Sequence, residues 1–243
     1  MDFVHFSVNN KKEYMTHMNQ NIAIDGPAGA GKSTIAKLLA KKLNYLYVDT
    51  GAMYRAMAVY FLRQNLKADM EQEIKEACQQ VEVEITYKEE EQQVILNKEN
   101  VTCFLREEET GKMASAISIY PAVREKLVDL QRTLAKKTDV IMDGRDIGTC
   151  VLPDAMLKIY LTAQVEARSE RRFLELQKKG IECDLEEIKE DIKQRDYQDM
   201  NRETSPLRQA EDAICIDTSQ MTIEQVVENI MNLHKKKMEE KNL

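Results

Sequence analysis

The chain has 243 residues, 43% hydrophobic and 32% charged, with a formal net charge of −7 at pH 7. That length suits one domain with subdomains or two small ones, and the acidic balance argues against non-specific nucleic-acid binding. The five cysteines are scattered, odd in number and without a C-x-x-C pair, which argues against a disulfide framework or a zinc site, and the three histidines lie near the termini.

In chain order, residues 1–20 are polar and mixed and carry no apolar signal-peptide core. They read as a flexible extension ahead of the first strand, with Met15 or Met18 as alternative starts. No run reaches the ~18 uninterrupted apolar residues of a membrane span, so a cytoplasmic location and no membrane partner are expected. Asn21–Asp25 is a short apolar strand. Gly26-Pro27-Ala28-Gly29-Ala30-Gly31-Lys32-Ser33 then matches G-x-x-x-x-G-K-[ST], and Thr34 to Leu43 has apolar residues at helical spacing. Strand, glycine loop and helix N-terminus together aim backbone N–H groups at one anion. Gly26 to Thr34 is therefore read as a nucleoside triphosphate site, with Lys32 reaching the β- and γ-phosphates and the Ser33 hydroxyl on Mg²⁺.

Further strands are expected at Tyr45–Asp49, Asp139–Asp143, Met156–Leu161 and Ala213–Asp217, which makes a five-stranded parallel sheet. A helical pattern over Ala52 to Arg63 follows the second strand. Such alternation is the mark of an α/β doubly wound fold, here a single domain over residues 21–243. Ligands in these folds gather outside the carboxyl ends of the strands. The loops at Gly26, Asp49-Thr50 and Asp143-Gly144-Arg145-Asp146 would then face one crevice.

Two regions break the alternation. Val81 to Tyr87 alternates with period two, and Gln93–Leu96 and Asn100–Thr102 follow, so residues of about 82–108 read as a small antiparallel insert. Asn97-Lys98-Glu99-Asn100 lacks the Asp of a guanine-reading N-K-x-D and is taken as a solvated turn. Glu166 to Gly180 is a helix bearing Arg168, Arg171 and Arg172. Those arginines suit either a flap over phosphates or a solvated face balanced by Glu166, Glu170 and Glu175. Thr222 to Lys237 is an amphipathic helix with Thr222 as its N-cap. Asp143 ends its strand and reads equally as a Mg²⁺ partner through water or as an ordinary turn.

Three longer segments carry a resemblance. Asp49-Thr50-Gly51-Ala52-Met53-Tyr54-Arg55, Asp143-Gly144-Arg145-Asp146-Ile147-Gly148-Thr149 and Arg195-Asp196-x-x-Asp199-x-Asn201-Arg202 closely resemble the bacterial cytidylate kinases. The resemblance runs from Asn21 to the C-terminal helix. It implies the P-loop kinase fold, with the insert as the region that binds a nucleoside monophosphate and residues of about 166–184 as a helical lid. It also implies transfer of the γ-phosphoryl group of ATP to CMP or dCMP, with ATP and Mg²⁺ as cofactors.

Carried over by position, the resemblance sets Ser115, Arg124 and Asp146 on the cytosine edge and Arg195 and Asp199 on the ribose hydroxyls. Arg55 and Arg145 fall near the acceptor phosphate and Arg202 close to the same nucleotide. Thr50 stands where Ser is frequent and keeps the hydroxyl. Lys32, Arg145 and the lid arginines Arg168 and Arg172 hold the transferring group. The acidic run Glu107-Glu108-Glu109 departs from the family pattern and leaves the role of Arg106 open. The alternatives are a kinase for UMP or a non-nucleotide acceptor, and a non-catalytic ATP-binding regulator. The arginines beyond the glycine loop argue against the regulator, which needs no second phosphate site. A monomer is the default, since nothing resembles a coiled-coil seam.

Overall fold

The computed structural model describes residues 19–241 apart from residue 90, so the extension expected over residues 1–20 lies almost wholly outside the described residues. The chain opens on β1 (Ile22–Asp25) and, after the glycine loop, runs through α1 (Lys32–Leu43), β2 (Leu46–Asp49) and α2 (Thr50–Arg63). An excursion follows: α3 (Glu71–Ala77), β3 (Val83–Lys88), β4 (Glu91–Leu96), β5 (Glu99–Asn100) and α4 (Glu108–Ile117). α5 (Pro121–Lys137) leads back to β6 (Val140–Gly144), and β7 (Leu157–Thr162), α6 (Val165–Lys178), α7 (Leu185–Asn201), β8 (Ile214–Asp217) and α8 (Ile223–Lys241) complete the fold.

Five of the strands form one parallel sheet in the order β2-β6-β1-β7-β8. Successive side chains on a strand point to opposite faces, and here both faces are covered. Ile22, Ile24, Ile141, Leu157 and Ile159 pack with α1 and α8, while Ala23, Val48, Val140 and Met142 pack with α2 and α5. The strand order reverses at β1, so the crevice beyond the carboxyl ends of β1 and β6 is the natural ligand position.

The five strands expected for the parallel sheet are found to within one residue at each end, and the first two of the insert to within two. α2 begins two residues early because Asp49 caps it, accepting from the Ala52 N–H at 2.8 Å. β3, β4 and β5 form a separate antiparallel sheet whose last strand is Glu99–Asn100, not Asn100–Thr102. Thr102 instead turns away: its N–H donates to Asn100 Oδ1 at 3.0 Å and its hydroxyl accepts from the Val94 N–H at 2.9 Å. Asn97 and Lys98 both take left-handed φ, 46° and 71°, as a tight hairpin turn requires. Gln92 ties this sheet to the end of β2, accepting from the Asp49 N–H at 2.8 Å and donating to its carbonyl at 3.2 Å. Thr222 does cap α8, its hydroxyl accepting from the Gln225 N–H at 3.3 Å. Among the described residues no helix is long and apolar enough to cross a membrane, and all five cysteines are free.

Candidate active site

The glycine loop joins the buried end of β1 to α1. At Gly26 φ is +147° and a Cβ would stand 1.9 Å from the Leu161 carbonyl oxygen, so only glycine lets the loop pass this close to β7. Gly31, at φ 87°, is the N-cap of α1, and no side chain caps that helix. The N–H groups of its first turn therefore face the loop's hollow. Lys32 is buried, with its ammonium donating to the Pro27 carbonyl at 2.7 Å. Burial, and after it the like charge of Arg145, pushes Lys32 well below the ordinary lysine range. An anion placed there would favour the charged form.

The end of β6 faces this loop. The Ser33 hydroxyl donates to Asp143 Oδ2 at 2.7 Å and the Tyr47 hydroxyl to Oδ1 at 2.9 Å. Burial, then the neighbouring Asp49, pushes the Asp143 carboxyl up. Thr50 is buried, and its hydroxyl donates to the Asp143 carbonyl at 2.7 Å. Arg55 pairs with Asp49 at 3.2 Å, while its Nε is buried without a partner.

A second cluster assembles beside the first from α4, α5, α7 and the turn after β6. Arg124 and Asp146 are 4% and 5% exposed and form an ion pair through Arg124 Nη2 and Asp146 Oδ2. The other oxygen, Asp146 Oδ1, lies 3.9 Å from Arg202 Nη2, too far for a hydrogen bond. Arg202 Nη2 is itself buried and unpartnered. Arg145 Nε donates to Asp199 Oδ2 at 2.6 Å. Against the upward push of burial, Arg145 holds the Asp199 carboxyl below the usual carboxylate range. The structure thus joins Arg124, Asp146, Arg202, Asp199 and Arg145 into one network. Arg195 lies on α7 at the rim, exposed on its outer side, and the like charges of Arg145, Arg55 and Arg172 add to desolvation in lowering its pKa. Ser115 is half-buried on α4, and its carbonyl accepts from the Ser118 hydroxyl at 2.7 Å.

Ser118 is a member that sequence reasoning missed. Its carbonyl accepts from Arg124 Nη1 at 3.3 Å and its hydroxyl from Arg202 Nη1 at 3.3 Å, so it holds both guanidinia. Tyr54, whose ring lies 5.9 Å below the Arg124 guanidinium, was legible only as part of a quoted motif.

The three arginines of α6 part ways. Arg168 is 4% exposed, donates from Nε to the Ala163 carbonyl at 2.9 Å and from Nη1 to the glycine loop's Ala28 carbonyl at 3.0 Å, and forms a bidentate pair with Asp196 at 3.0 and 2.6 Å. Arg171 donates to Thr218 beyond β8, its Nη1 at 3.1 Å from the hydroxyl. Arg172 alone is half-exposed, paired with Glu175 at 3.0 Å. Arg106 is exposed at the end of the turn after β5.

The model of the family described as cytidylate kinase matches residues 22–236. The chain belongs to the cytidylate kinase family. The cytidylate kinase of Caldicellulosiruptor saccharolyticus is 54% identical over 213 residues, which are 88% of this chain and 94% of that one. The cytidylate kinase of Geobacillus sp. (strain WCH70) is 49% identical over 215 residues, 88% of this chain and 96% of that one. A solved structure of an uncharacterized protein from Eubacterium ventriosum matches with a TM-score of 0.50 at 13% identity, over 88% of this chain and 97% of that one, a likeness of fold alone. The cytidylate kinase match takes in β1 through most of α8, and with them every residue of both clusters.

Proposed function

We propose that the chain transfers the γ-phosphoryl group of ATP to CMP or dCMP, giving ADP with CDP or dCDP. The observation that carries this reading is the half-occupied Asp146 carboxylate. Arg124 engages Oδ2, which leaves Oδ1 to accept a hydrogen bond within a buried site. Cytosine offers an exocyclic amine there, whereas uracil offers a carbonyl that a fixed carboxylate repels. Arg124 and Arg202 supply donors for the ring nitrogen and carbonyl, and Ser115 faces the same edge. Arg195 and Asp199 hold the ribose, Arg55 and Arg145 the acceptor phosphate, and Thr50 lines the floor between them.

The glycine loop from Gly26 to Thr34 holds the donor phosphates through backbone N–H groups, and Lys32 holds the transferring group. The hydroxyl of Ser33 has lone pairs free while its proton engages Asp143. That is a hard oxygen donor set, and among the described residues no cluster of three metal-ligating side chains competes with it. Such a site fits Mg²⁺ held by few protein oxygens, with phosphates and water completing the shell. Bound there, Mg²⁺ neutralises charge on the transferring phosphates. The acceptor phosphate is already an anion, so positioning and charge neutralisation by Lys32, Arg145 and Arg172 do the catalysis without a general base. The insert over about 82–108 and the lid over about 166–184 close over the nucleotides and exclude water.

ADP formation from ATP-Mg²⁺ with CMP, dCMP, UMP, AMP, GMP and dTMP, beside a no-acceptor control, tests the reading. Turnover confined to CMP and dCMP is expected. Equal turnover of UMP would remove the role of Asp146, and silence on all six would overturn the function.

A further inference from the structure

Asp25 is the last residue of β1, and β1 is the central strand of the sheet. Its side chain does not point into the glycine loop that follows it. Oδ1 accepts from the Ile147 N–H at 2.8 Å and Oδ2 from the Gly148 N–H at 2.7 Å. Those two amides open the single wide helical turn Ile147–Val151, and Asp146, its N-cap, provides no side-chain cap of its own. A turn's first amides need an acceptor. Here the acceptor comes from another strand, more than 120 residues earlier in the chain.

The fit around this contact is close. A Cβ at Gly148 would stand 3.3 Å from Asp25 Oδ2 and 3.2 Å from Lys158 Cδ, so a side chain there would push the turn and the carboxylate apart by a few tenths of an ångström. A Cβ at Gly144 would stand 2.6 Å from Ile147 Cδ1, so Ile147 packs directly against the glycine on the other side of the turn. Lys158 passes behind and reaches Asp212 at 2.8 Å. Asp146 and Arg145 immediately precede the turn. Their direction is therefore set by a carboxylate rooted in the same strand end that launches the phosphate loop.

We propose that Asp25 is a positioning residue that aims Asp146 and Arg145 at the acceptor nucleotide and fixes their distance from the phosphate loop. This rests on the functional reading above. The carboxylate is 5% exposed, and such a buried group is retained where two acceptors on one planar head are needed. Burial pushes its pKa up to about 6 against the two amides, with Asp146 raising it further and Lys32 lowering it. From β7, Lys158 and Tyr160 complete the ionisable groups around it.

Asp25→Asn keeps the shape but offers an amide NH₂ to one of the two N–H groups. The expected result is a CMP KM raised on the order of 10- to 100-fold and a smaller preference for CMP over UMP, with the ATP KM within about twofold. Gly148→Ala separates the same two groups without touching the charge and is expected to give the same split. In the nucleotide-free wild type, the Ile147 and Gly148 amide resonances are expected to titrate together with a midpoint near Asp25's pKa of about 6. ATP and CMP KM rising equally in both variants, or an unchanged CMP preference, would overturn the positioning role, as would amides that do not titrate. Wild-type inactivity on CMP would instead remove the functional reading, and the amide titration would still decide whether Asp25 holds the turn.

Discussion

The two halves of this site are built by opposite means. In the proposed reading the donor side is backbone: eight consecutive residues bend a loop that presents N–H groups and one buried lysine. The acceptor side is side chain: arginines and carboxylates from α2, α5, α7 and the turn after β6 meet through ion pairs spaced from a few to over fifty residues apart. A backbone site tolerates no Cβ where the chain passes close, as at Gly26. A side-chain site tolerates substitution but is selective, because Asp146 and Asp199 each commit one oxygen to an arginine and leave the other open to a donor. The donor half should therefore fail as a unit, and the acceptor half one function at a time.

The severest test falls on Arg168, which ties the glycine loop to α7. Its bidentate pair with Asp196 is buried, and its Nη1 also binds the Ala28 carbonyl of the glycine loop. Arg168→Met strands the Asp196 carboxylate and is expected to lower stability by about 3–5 kcal/mol in urea unfolding. A loss of kcat with stability intact would show that Arg168 acts on phosphate, not as a clamp. Next comes Lys32→Met, which removes the glycine loop's own cation: kcat should fall about 10³-fold, with the CMP-over-UMP preference kept. A changed preference would mean that the halves are not separable. Asp146→Asn is the acceptor-side counterpart, expected to reduce the CMP preference by about 100-fold while the ATP KM holds. Asp199→Asn should shift the CMP-to-dCMP ratio by about tenfold, since it weakens a ribose contact without reaching the base. An unchanged ratio would take Asp199 off the ribose and leave it as the partner of Arg145.

The same contrast decides what was legible in the sequence. The glycine loop, the strands and the antiparallel insert are local patterns, and each is found within a residue or two of where periodicity and turn chemistry set it. No motif marked residues 71–77, 108–117 or 121–137 as helical, although Ile74, Met113, Ile117, Val123 and Leu127 give those helices buried faces. The acceptor residues were legible only through resemblance, because Arg145 meets Asp199 across 54 positions and Arg124 meets Asp146 across 22. Ser118 and Asp25 had no local signal. Their partners lie up to 84 and 123 positions away along the chain. Arg168, Arg171 and Arg172 look alike along the chain, and only packing shows that one is buried, one is tied to Thr218 and one, beside Glu175, is half-exposed.

That last residue gives the smallest stability effect and a clean separation of roles. Arg172 is about half-exposed, as is Glu175, its partner three residues on. An exposed pair at that spacing contributes a few tenths of a kcal/mol at most. Arg172→Ala should therefore leave the unfolding midpoint unchanged, in contrast to Arg168→Met. If α6 closes over the donor, the same substitution should still lower kcat, by about 10²-fold, because its guanidinium would meet phosphate only in the closed state. Arg172 already lies within electrostatic reach of Arg195 and Glu108. A variant with both stability and kcat unchanged would make α6 a wall of the site and not a moving part. The burden of charge neutralisation would then fall on Lys32 and Arg145 alone.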